Sequence, residues 1–382
     1  MNPYGIYIHY PYCVHKCSYC DFYSLEDHST KDIYADLILE EIKQRCAGRK
    51  EKADTIFFGG GTPSLMKPGV LASIINELHN YFEFDKNTEF TLECNPGTID
   101  VKHFEEYKKI GVNRISFGVQ SFNLSELEFL ERIHSPEEVF KAVETARATG
   151  FDNISLDLIF AIPGQTIETW ADTIKKALSI KPNHISTYSL IYEEGTPLHR
   201  QLQNKKFESQ SEDNDIDFYE YAVKEYTKAG YEQYEVSNYA QRGRECRHNI
   251  KYWQSEEYFA FGPSAHGYVD GVRYANFRSI GKYVKYLKSG KLPIDSEELI
   301  DRKQQIYERL YLELRAKGLR IDKFNKDFSI DLFDIASSTI ELFSKNNYAF
   351  IKDGRLKLTS KGYFIGDDIT LKMMQSIDKY ID

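Results

Sequence analysis

Between Ile6 and Tyr192 the sequence alternates short apolar, β-branched runs with amphipathic stretches of helical period. This alternation is typical of repeated strand and helix units around a parallel sheet. The apolar runs predict six strands, at residues 5–9, 55–58, 89–93, 114–119, 154–159 and 184–190. The amphipathic stretches predict helices at residues 31–45, 68–82, 101–109, 136–149 and 167–178. Six such units fit either an open doubly wound sheet or an incomplete barrel.

The character of the chain changes after Pro197. Residues 204–215 are polar and highly charged, which predicts an exposed connection. We expect a second region beyond it that begins with a helix at residues 218–229 and passes through an aromatic-rich section. Near its end, Asp353-Gly354 lies between two apolar runs and predicts a hairpin. Helix, helix and hairpin together resemble a winged-helix unit. From the change in composition after Pro197, the predicted division of the chain is residues 1–200 and 201–382.

Charge and hydropathy exclude several classes of protein. The chain has 58 acidic against 49 basic residues, a net charge of −9, which counts against nucleic acid as a partner. The N-terminus lacks the basic start and apolar core of a secretory signal. No uncharged apolar stretch approaches the ~18 residues that a membrane-spanning helix needs. We therefore expect a cytosolic protein, in which reducing conditions keep thiols free for metals or catalysis.

Cys13, Cys17 and Cys20 lie close together, directly after the first predicted strand. Three thiolates on one short loop can hold three irons of a [4Fe-4S] cluster and leave the fourth iron open to a small molecule. A zinc ion would need a fourth ligand, for which His9 or His15 is nearest, and unligated thiols are the simplest alternative. The remaining cysteines are expected to be buried structural thiols: Cys46, Cys94 and Cys246.

Polar residues follow the next predicted strands in turn. A glycine-rich segment at residues 59–62 follows the second strand, where glycines let a ligand approach the backbone closely. Glu93 closes the third strand, Gln120 follows the fourth, and Asp157 lies in the fifth, while Arg132 supplies a long cation. Each has a structural alternative: helix caps for the carboxylates, a loop hydrogen bond for the amide, a surface ion pair for the arginine. Together, polar groups at successive strand ends predict one ligand site.

The CxxxCxxC spacing of the cysteines resembles the defining motif of the radical S-adenosylmethionine (SAM) enzymes. In that superfamily SAM chelates the open iron, and the reduced cluster cleaves SAM to methionine and a 5′-deoxyadenosyl radical. The polar set resembles the SAM-binding positions of the branch that contains oxygen-independent coproporphyrinogen III oxidase. The resemblance implies a partial (β/α)6 barrel of the TIM type with a C-terminal α+β accessory domain. It also implies that SAM is bound by Tyr7, Gly60, Gly61, Thr62, Glu93, Gln120, Arg132 and Asp157.

The sequence departs from the oxidases of this branch near its N-terminus. The oxidase motif continues to a further cysteine two residues beyond the third, where this chain has Phe22. The oxidases also carry an N-terminal extension that helps to close over the porphyrinogen, whereas only twelve residues precede Cys13. We therefore expect the substrate lid to be missing.

Residues 248–253 contain HNxxYW, which resembles the heme-binding motif of the heme chaperones in this branch. A neutral His248 imidazole can ligate heme iron, and Tyr252 and Trp253 offer flat apolar surface to the macrocycle. The alternative is a buried histidine packed among aromatic rings.

The resemblance thus implies a heme chaperone that uses a [4Fe-4S] cluster and SAM and carries heme to an acceptor, such as a heme-dependent respiratory enzyme. It leaves room for transient membrane association and for a homodimer. Two enzymatic alternatives stay open: oxidative decarboxylation of coproporphyrinogen III propionates, and a radical SAM methyltransferase that opens heme.

Overall fold

The computed structural model describes residues 2–380. The strands of the first half are β1 (Tyr4–Tyr10), β2 (Glu51–Gly60), β3 (Phe82–Glu83), β4 (Glu89–Cys94), β5 (Arg114–Gln120), β6 (Ile154–Phe160) and β7 (His184–Ser189). The helices between them are α1 (Tyr34–Arg45), α2 (Pro68–Leu78), α3 (Val101–Ile110), α4 (Leu124–Phe129), α5 (Pro136–Ala148) and α6 (Ile167–Ser179). All six predicted strands and all five predicted helices are therefore present.

Six strands form the parallel core in chain order, β1-β2-β4-β5-β6-β7, as expected for a partial (β/α)6 barrel. Most of their side chains are buried on both faces, which suits near-continuous apolar runs rather than alternating ones. Because the strands are parallel, their carboxyl ends lie at one edge of the sheet. The loops that follow β1, β2, β4, β5 and β7 meet there.

From residue 197 onward the chain adds further strands to this sheet, with helices between them. These are α7 (Pro197–Gln203), α8 (Glu212–Lys228), β8 (Glu232–Gln233), β9 (Asn238–Ala240), α9 (Arg247–Trp253), β10 (Tyr258–Phe261), β11 (His266–Val269), β12 (Val272–Asn276), α10 (Ile280–Lys288) and β13 (Ile294–Leu299). β10 adds in parallel to β1 and is followed outward by antiparallel β11, β12 and β13. β9 adds antiparallel to β7. Residue 200, the predicted boundary, thus lies between parts of one sheet.

Two of the predicted segments extend into a different element of the structure. The segment predicted as an exposed connection at residues 204–215 contains the start of α8 at Glu212. Ser211 caps this helix by accepting a hydrogen bond from the Asn214 amide at 3.2 Å, and acidic residues of the first turn suit its positive end. The polar composition that indicated a loop is therefore the N-terminal signal of a helix. The helix predicted at residues 68–82 ends at Leu78, and Phe82 begins β3 beside β2.

The last unit has its own apolar core, separate from that of the large sheet. It comprises α11 (Arg302–Leu314), β14 (Leu319–Arg320), α12 (Ile321–Phe328), α13 (Leu332–Lys345), β15 (Ala349–Lys352), β16 (Arg355–Leu358), α14 (Ser360–Phe364) and α15 (Gly366–Asp378). Helix, strand, two helices and a hairpin follow the winged-helix order, with Asp353 and Gly354 at the hairpin turn as predicted. The Arg315 carbonyl accepts a hydrogen bond from the Val236 amide at 2.9 Å, which ties this unit to the sheet.

Within residues 2–380, none of the helices combines the length and the apolar composition that crossing a lipid bilayer requires.

Candidate functional site

One cavity of about 590 Å³ opens at the carboxyl edge of the parallel strands. It is lined by all the predicted cluster and SAM residues and by the predicted heme ligand: Tyr7, Cys13, Cys17, Cys20, Gly60, Gly61, Thr62, Glu93, Gln120, Arg132, Asp157 and His248. They come from segments spread over more than 240 residues of the chain. The fold therefore brings these twelve residues together around a volume typical of cofactor pockets.

The three clustered thiols face this cavity from the loop after β1, and all three are free. The Thr62 hydroxyl donates to Cys13 Sγ at 3.4 Å, and Arg132 Nη1 lies 3.8 Å from Cys17 Sγ. Burial raises the pKa of Cys13, and it raises the pKa of Cys20 to about 11. The loop thus presents thiols, with a hydroxyl and a guanidinium positioned to stabilise sulfur in its anionic form.

One of the two fourth ligands considered for zinc is hydrogen-bonded to other groups. Within residues 2–380, no group of three His, Cys, Asp or Glu side chains is arranged to hold a metal ion. His9 is occupied elsewhere, since its Nε2 lies 2.8 Å from the Tyr23 carbonyl and its Nδ1 lies 3.0 Å from the Tyr7 hydroxyl. A [4Fe-4S] cluster instead takes one thiolate on each of three irons, so its ligands need not share one point.

The glycine turn after β2 packs against the cysteine loop instead of offering free backbone groups. The Gly61 and Thr62 amides donate to the Tyr10 and Tyr12 carbonyls at 2.8 and 2.9 Å. A side chain at Gly60 would place its Cβ 2.6 Å from the His9 ring, and the backbone there has φ of 111°. The glycines are therefore needed for the close approach of two loops, and the Gly61 and Thr62 amides are already hydrogen-bonded within the chain.

Two carboxyl groups, those of Glu93 and Asp157, line the cavity from β4 and β6, the strands on either side of β5. Burial, reinforced by the charge of Asp157, raises the pKa of Glu93 to about 8, although Glu93 Oε2 accepts a hydrogen bond from the Gly60 amide at 3.2 Å. Burial also raises the pKa of Asp157, whose two oxygens both lie 3.1 Å from the Ser116 hydroxyl. Neither carboxyl group caps a helix. Both can form hydrogen bonds with hydroxyl or amine groups of a ligand.

Gln120 and Arg132 complete the polar lining near the cluster loop. Gln120 has φ of 65°, a left-handed conformation that costs a non-glycine residue energy and is common at functional sites. Arg132 Nη2 donates to Asn95 Oδ1 and to the Gly118 carbonyl, both at 2.7 Å. Arg132 is therefore a buried, held cation, and the surface ion pair considered for it is not formed.

His248 lies in the cavity wall and is only 1% exposed. Its Nδ1 lies 2.8 Å from Thr55 Oγ1 and its Nε2 lies 2.7 Å from the Tyr252 hydroxyl, so both ring nitrogens are hydrogen-bonded. Burial lowers the pKa of His248 to about 3, which keeps the imidazole neutral. Trp253 does not join Tyr252 at this cavity but lines a separate cleft beside the last unit, so the predicted joint heme surface is divided.

The structure adds site residues that the sequence reading missed. Asn95 links Thr62 to Arg132, since its Nδ2 donates to Thr62 Oγ1 at 3.1 Å. Glu131 holds the cysteine loop, because its Oε2 accepts a hydrogen bond from the Ser18 amide at 3.0 Å. Asn95 directly follows a strand, and Glu131 directly precedes Arg132. These neighbouring positions were the sequence signal that could have identified both residues. Arg114, a lone cation at the start of an apolar strand, also lines the cavity.

The sequence is similar to known families and proteins. The sequence-family model of the radical SAM superfamily matches residues 7–177, and the sequence-family model of the HemN C-terminal domain matches residues 300–365. The heme chaperone HemW of Lactococcus lactis is 35% identical over 98% of both chains. HemW of Bacillus subtilis is 32% identical over 95% of this chain and 97% of its own.

A solved structure agrees with these sequence relatives on the fold. Coproporphyrinogen III oxidase (HemN) from Escherichia coli superimposes with a TM-score of 0.83 over 97% of this chain and 90% of its own, at 20% identity. This likeness supports a fold common to the two chains.

Proposed function

The chain belongs to the HemW family of the radical SAM superfamily, and from this membership we propose that it binds heme and delivers it to an acceptor protein. The observation that carries the proposal is the cavity itself, which collects three free thiols, the strand-end polar groups and His248. The residues proposed for the cluster, SAM and heme thus share one cavity.

Cys13, Cys17 and Cys20 are the proposed ligands of a [4Fe-4S] cluster. Their free thiols, their common loop and their exposure to one cavity fit three irons better than one ion. When bound and reduced, such a cluster supplies the electron that cleaves SAM in this superfamily. The chain contributes the surroundings: Thr62 and Arg132 lie beside two of the sulfurs.

SAM is proposed to occupy the cavity next to the cysteine loop, against Tyr7, Gly60, Gly61, Thr62, Glu93, Gln120, Arg132 and Asp157. Its amino group, its ribose hydroxyls and its adenine need several donors and acceptors. The raised pKa of Glu93 lets that carboxyl donate at neutral pH, while Asp157, held by Ser116, accepts. The two carboxyl groups can thus serve different atoms of one ligand.

His248 is the proposed heme ligand. A neutral imidazole is the form that coordinates iron, and burial keeps His248 in that form. Its Nε2 is hydrogen-bonded to Tyr252, so coordination through Nε2 requires the Tyr252 hydroxyl to turn away. Thr55 at Nδ1 would then keep the ring oriented, as hydrogen-bond partners of metal-bound histidines do.

Delivery requires contact with an acceptor, and the cavity mouth offers apolar surface for it. Phe22, Tyr188 and Ile191 line the cavity and are 67%, 42% and 63% exposed. We propose that the protein is cytoplasmic and that this surface contacts a heme-dependent respiratory enzyme. We further propose that the protein contacts the membrane transiently and forms a homodimer. Flotation with vesicles and mass measurement of the loaded protein test these last two points, and monomers that stay out of the lipid fraction contradict them.

One experiment separates the carrier from the enzyme. Anaerobically reconstituted protein receives hemin in one assay and coproporphyrinogen III with SAM and a reductant in the other. We expect one hemin per chain, its transfer to a heme-free respiratory cytochrome, and no protoporphyrinogen. The oxidase is the second candidate because its fold is shared, and turnover of coproporphyrinogen would establish it instead. Mass analysis of the recovered tetrapyrrole tests for methyl transfer or ring opening.

A further inference from the structure

Arg114 is the first residue of β5 and faces the interior of the parallel sheet. It is 2% exposed and is among the largest fully buried side chains of the protein. It lines the same cavity as the cysteines, but from the opposite end. β5 runs from Arg114 to Gln120, which places the two residues about 20 Å apart along the strand.

The guanidinium of Arg114 lacks the partners that a buried cation normally has. Within residues 2–380 its Nε has no hydrogen-bond partner, and no carboxylate forms an ion pair with it. The nearby carboxylates are committed to other donors. Glu89 accepts hydrogen bonds from the amides of Arg247 and His248, both at 3.0 Å, and Asp157 accepts from Ser116.

Burial lowers the pKa of Arg114, but the nearby Cys246, Glu89 and Asp157 raise it on balance, so the buried charge is partly compensated at a distance. Within residues 2–380 a direct ion pair is still missing, and a bound carboxylate would supply one. Two arginines line the cavity. Arg132 is bonded to Asn95 and Gly118, whereas Arg114 Nε has no hydrogen-bond partner within residues 2–380. A guanidinium is suited to a carboxylate because its parallel N–H groups match both oxygens.

Two ligands of the proposed function carry carboxylates: SAM and heme. In this superfamily the SAM carboxylate is bound at the cluster, which lies at the far end of the strands from Arg114. The His248 amide donates to Glu89 of β4, and Arg114 lies in register with Thr91 of the same strand, so both line the cavity near the start of β4. A heme held at His248 would therefore bring its propionates toward Arg114.

We propose that Arg114 binds a carboxylate of the cargo, a heme propionate. This inference rests on the proposed function and adds the group that would fix the orientation of heme in the cavity. It predicts that the protein distinguishes free propionates from esterified ones.

The test combines ligand and protein variants in one cycle. Wild-type protein, Arg114→Met and Arg114→Lys are titrated with hemin and with hemin dimethyl ester, and with SAM and its decarboxylated analogue. We expect the wild type to bind the ester about tenfold or more weakly than hemin, since hydrogen bonds to a charged group are of that size. Arg114→Met should lose this preference, and Arg114→Lys should keep part of it.

Equal affinity of the wild type for hemin and its ester overturns the proposal, and this arm needs no variant to fold. Loss of the preference for SAM over its decarboxylated analogue in Arg114→Met, with hemin discrimination intact, overturns it in favour of the SAM carboxylate. If the wild type binds no hemin, both the proposed function and this inference are wrong. If it binds hemin and hemin dimethyl ester equally well, this inference alone is wrong. Iron content and circular dichroism confirm that each variant is folded.

Discussion

His248 and His184 are held in the interior by matching pairs of hydrogen bonds, yet of the two His248 alone lines the cavity. His248 lies 2.8 Å from the Thr55 hydroxyl and 2.7 Å from that of Tyr252. His184 lies 2.8 Å from the Ser155 hydroxyl and 2.7 Å from that of Tyr234. Burial lowers the pKa of both imidazoles. The two residues differ chiefly in what they face.

This pair provides a matched test of heme ligation. We expect His248→Ala to weaken hemin binding by on the order of tenfold or more, because the iron loses its protein ligand. His184→Ala should lose a comparable amount of folding stability, since each change strands two buried hydroxyls, but should keep hemin affinity. Hemin titration by the Soret band measures both. Equal losses of affinity in the two variants would mean that His248 acts structurally.

Replacement of a clustered thiol should abolish the iron-sulfur centre. Cys17→Ala is expected to lose the visible chromophore and the iron of the reconstituted protein, since the open-iron cluster has no spare protein ligand. Cys46→Ala is the control, as Cys46 is fully buried beside α1 and away from the cavity. Iron and sulfide analysis measures the outcome. Four irons per chain in Cys17→Ala would contradict the assignment.

Glu131 should protect the cluster without binding it. Glu131→Ala removes the acceptor for the Ser18 amide between two of the cysteines, a loss of about 1 kcal/mol at that loop. We expect faster bleaching of the reconstituted cluster in air. Glu128→Ala changes an exposed residue of neighbouring α4 and serves as the control. Identical bleaching rates in the two variants would show that the loop is held by other contacts.

The pKa of Glu93 predicts how stability depends on pH in the ligand-free protein. Burial raises this pKa from 4.5 to about 8, so the folded state favours the protonated carboxyl. The stability that Glu93 contributes is full below about pH 4.5 and is lost as the pH rises through about 8. Glu93→Gln, which stays neutral, should therefore melt roughly 2–5 °C above the wild type at pH 8 and show a smaller decline between pH 5 and 8.

Thermal melts across this pH range, with exposed Glu105→Gln on α3 as the control, measure the effect. Parallel melting curves of wild type and Glu93→Gln would show that the Glu93 carboxyl is ionised in the folded protein at these pH values.

Much of the site could be read from the sequence because its signals are local. Cys13, Cys17 and Cys20 share one loop, so their spacing alone limits what they can hold. Glu93 and Gln120 end parallel strands, and parallel strands place their carboxyl ends at a common edge whatever the details of packing. The turn at Asp353-Gly354 is likewise predicted from the residues on either side of it.

Short-range periodicity and spacing were enough to predict the parallel core, the cysteine loop and the polar groups at its edge. They did not indicate that β10 pairs with β1, or that α9 carries His248 into the cavity while Trp253 faces elsewhere. Nor did they indicate that Arg114 Nε has no hydrogen-bond partner within residues 2–380. These outcomes depend on contacts between segments far apart in the chain, and whether a buried polar group is satisfied is a property of all the segments that surround it.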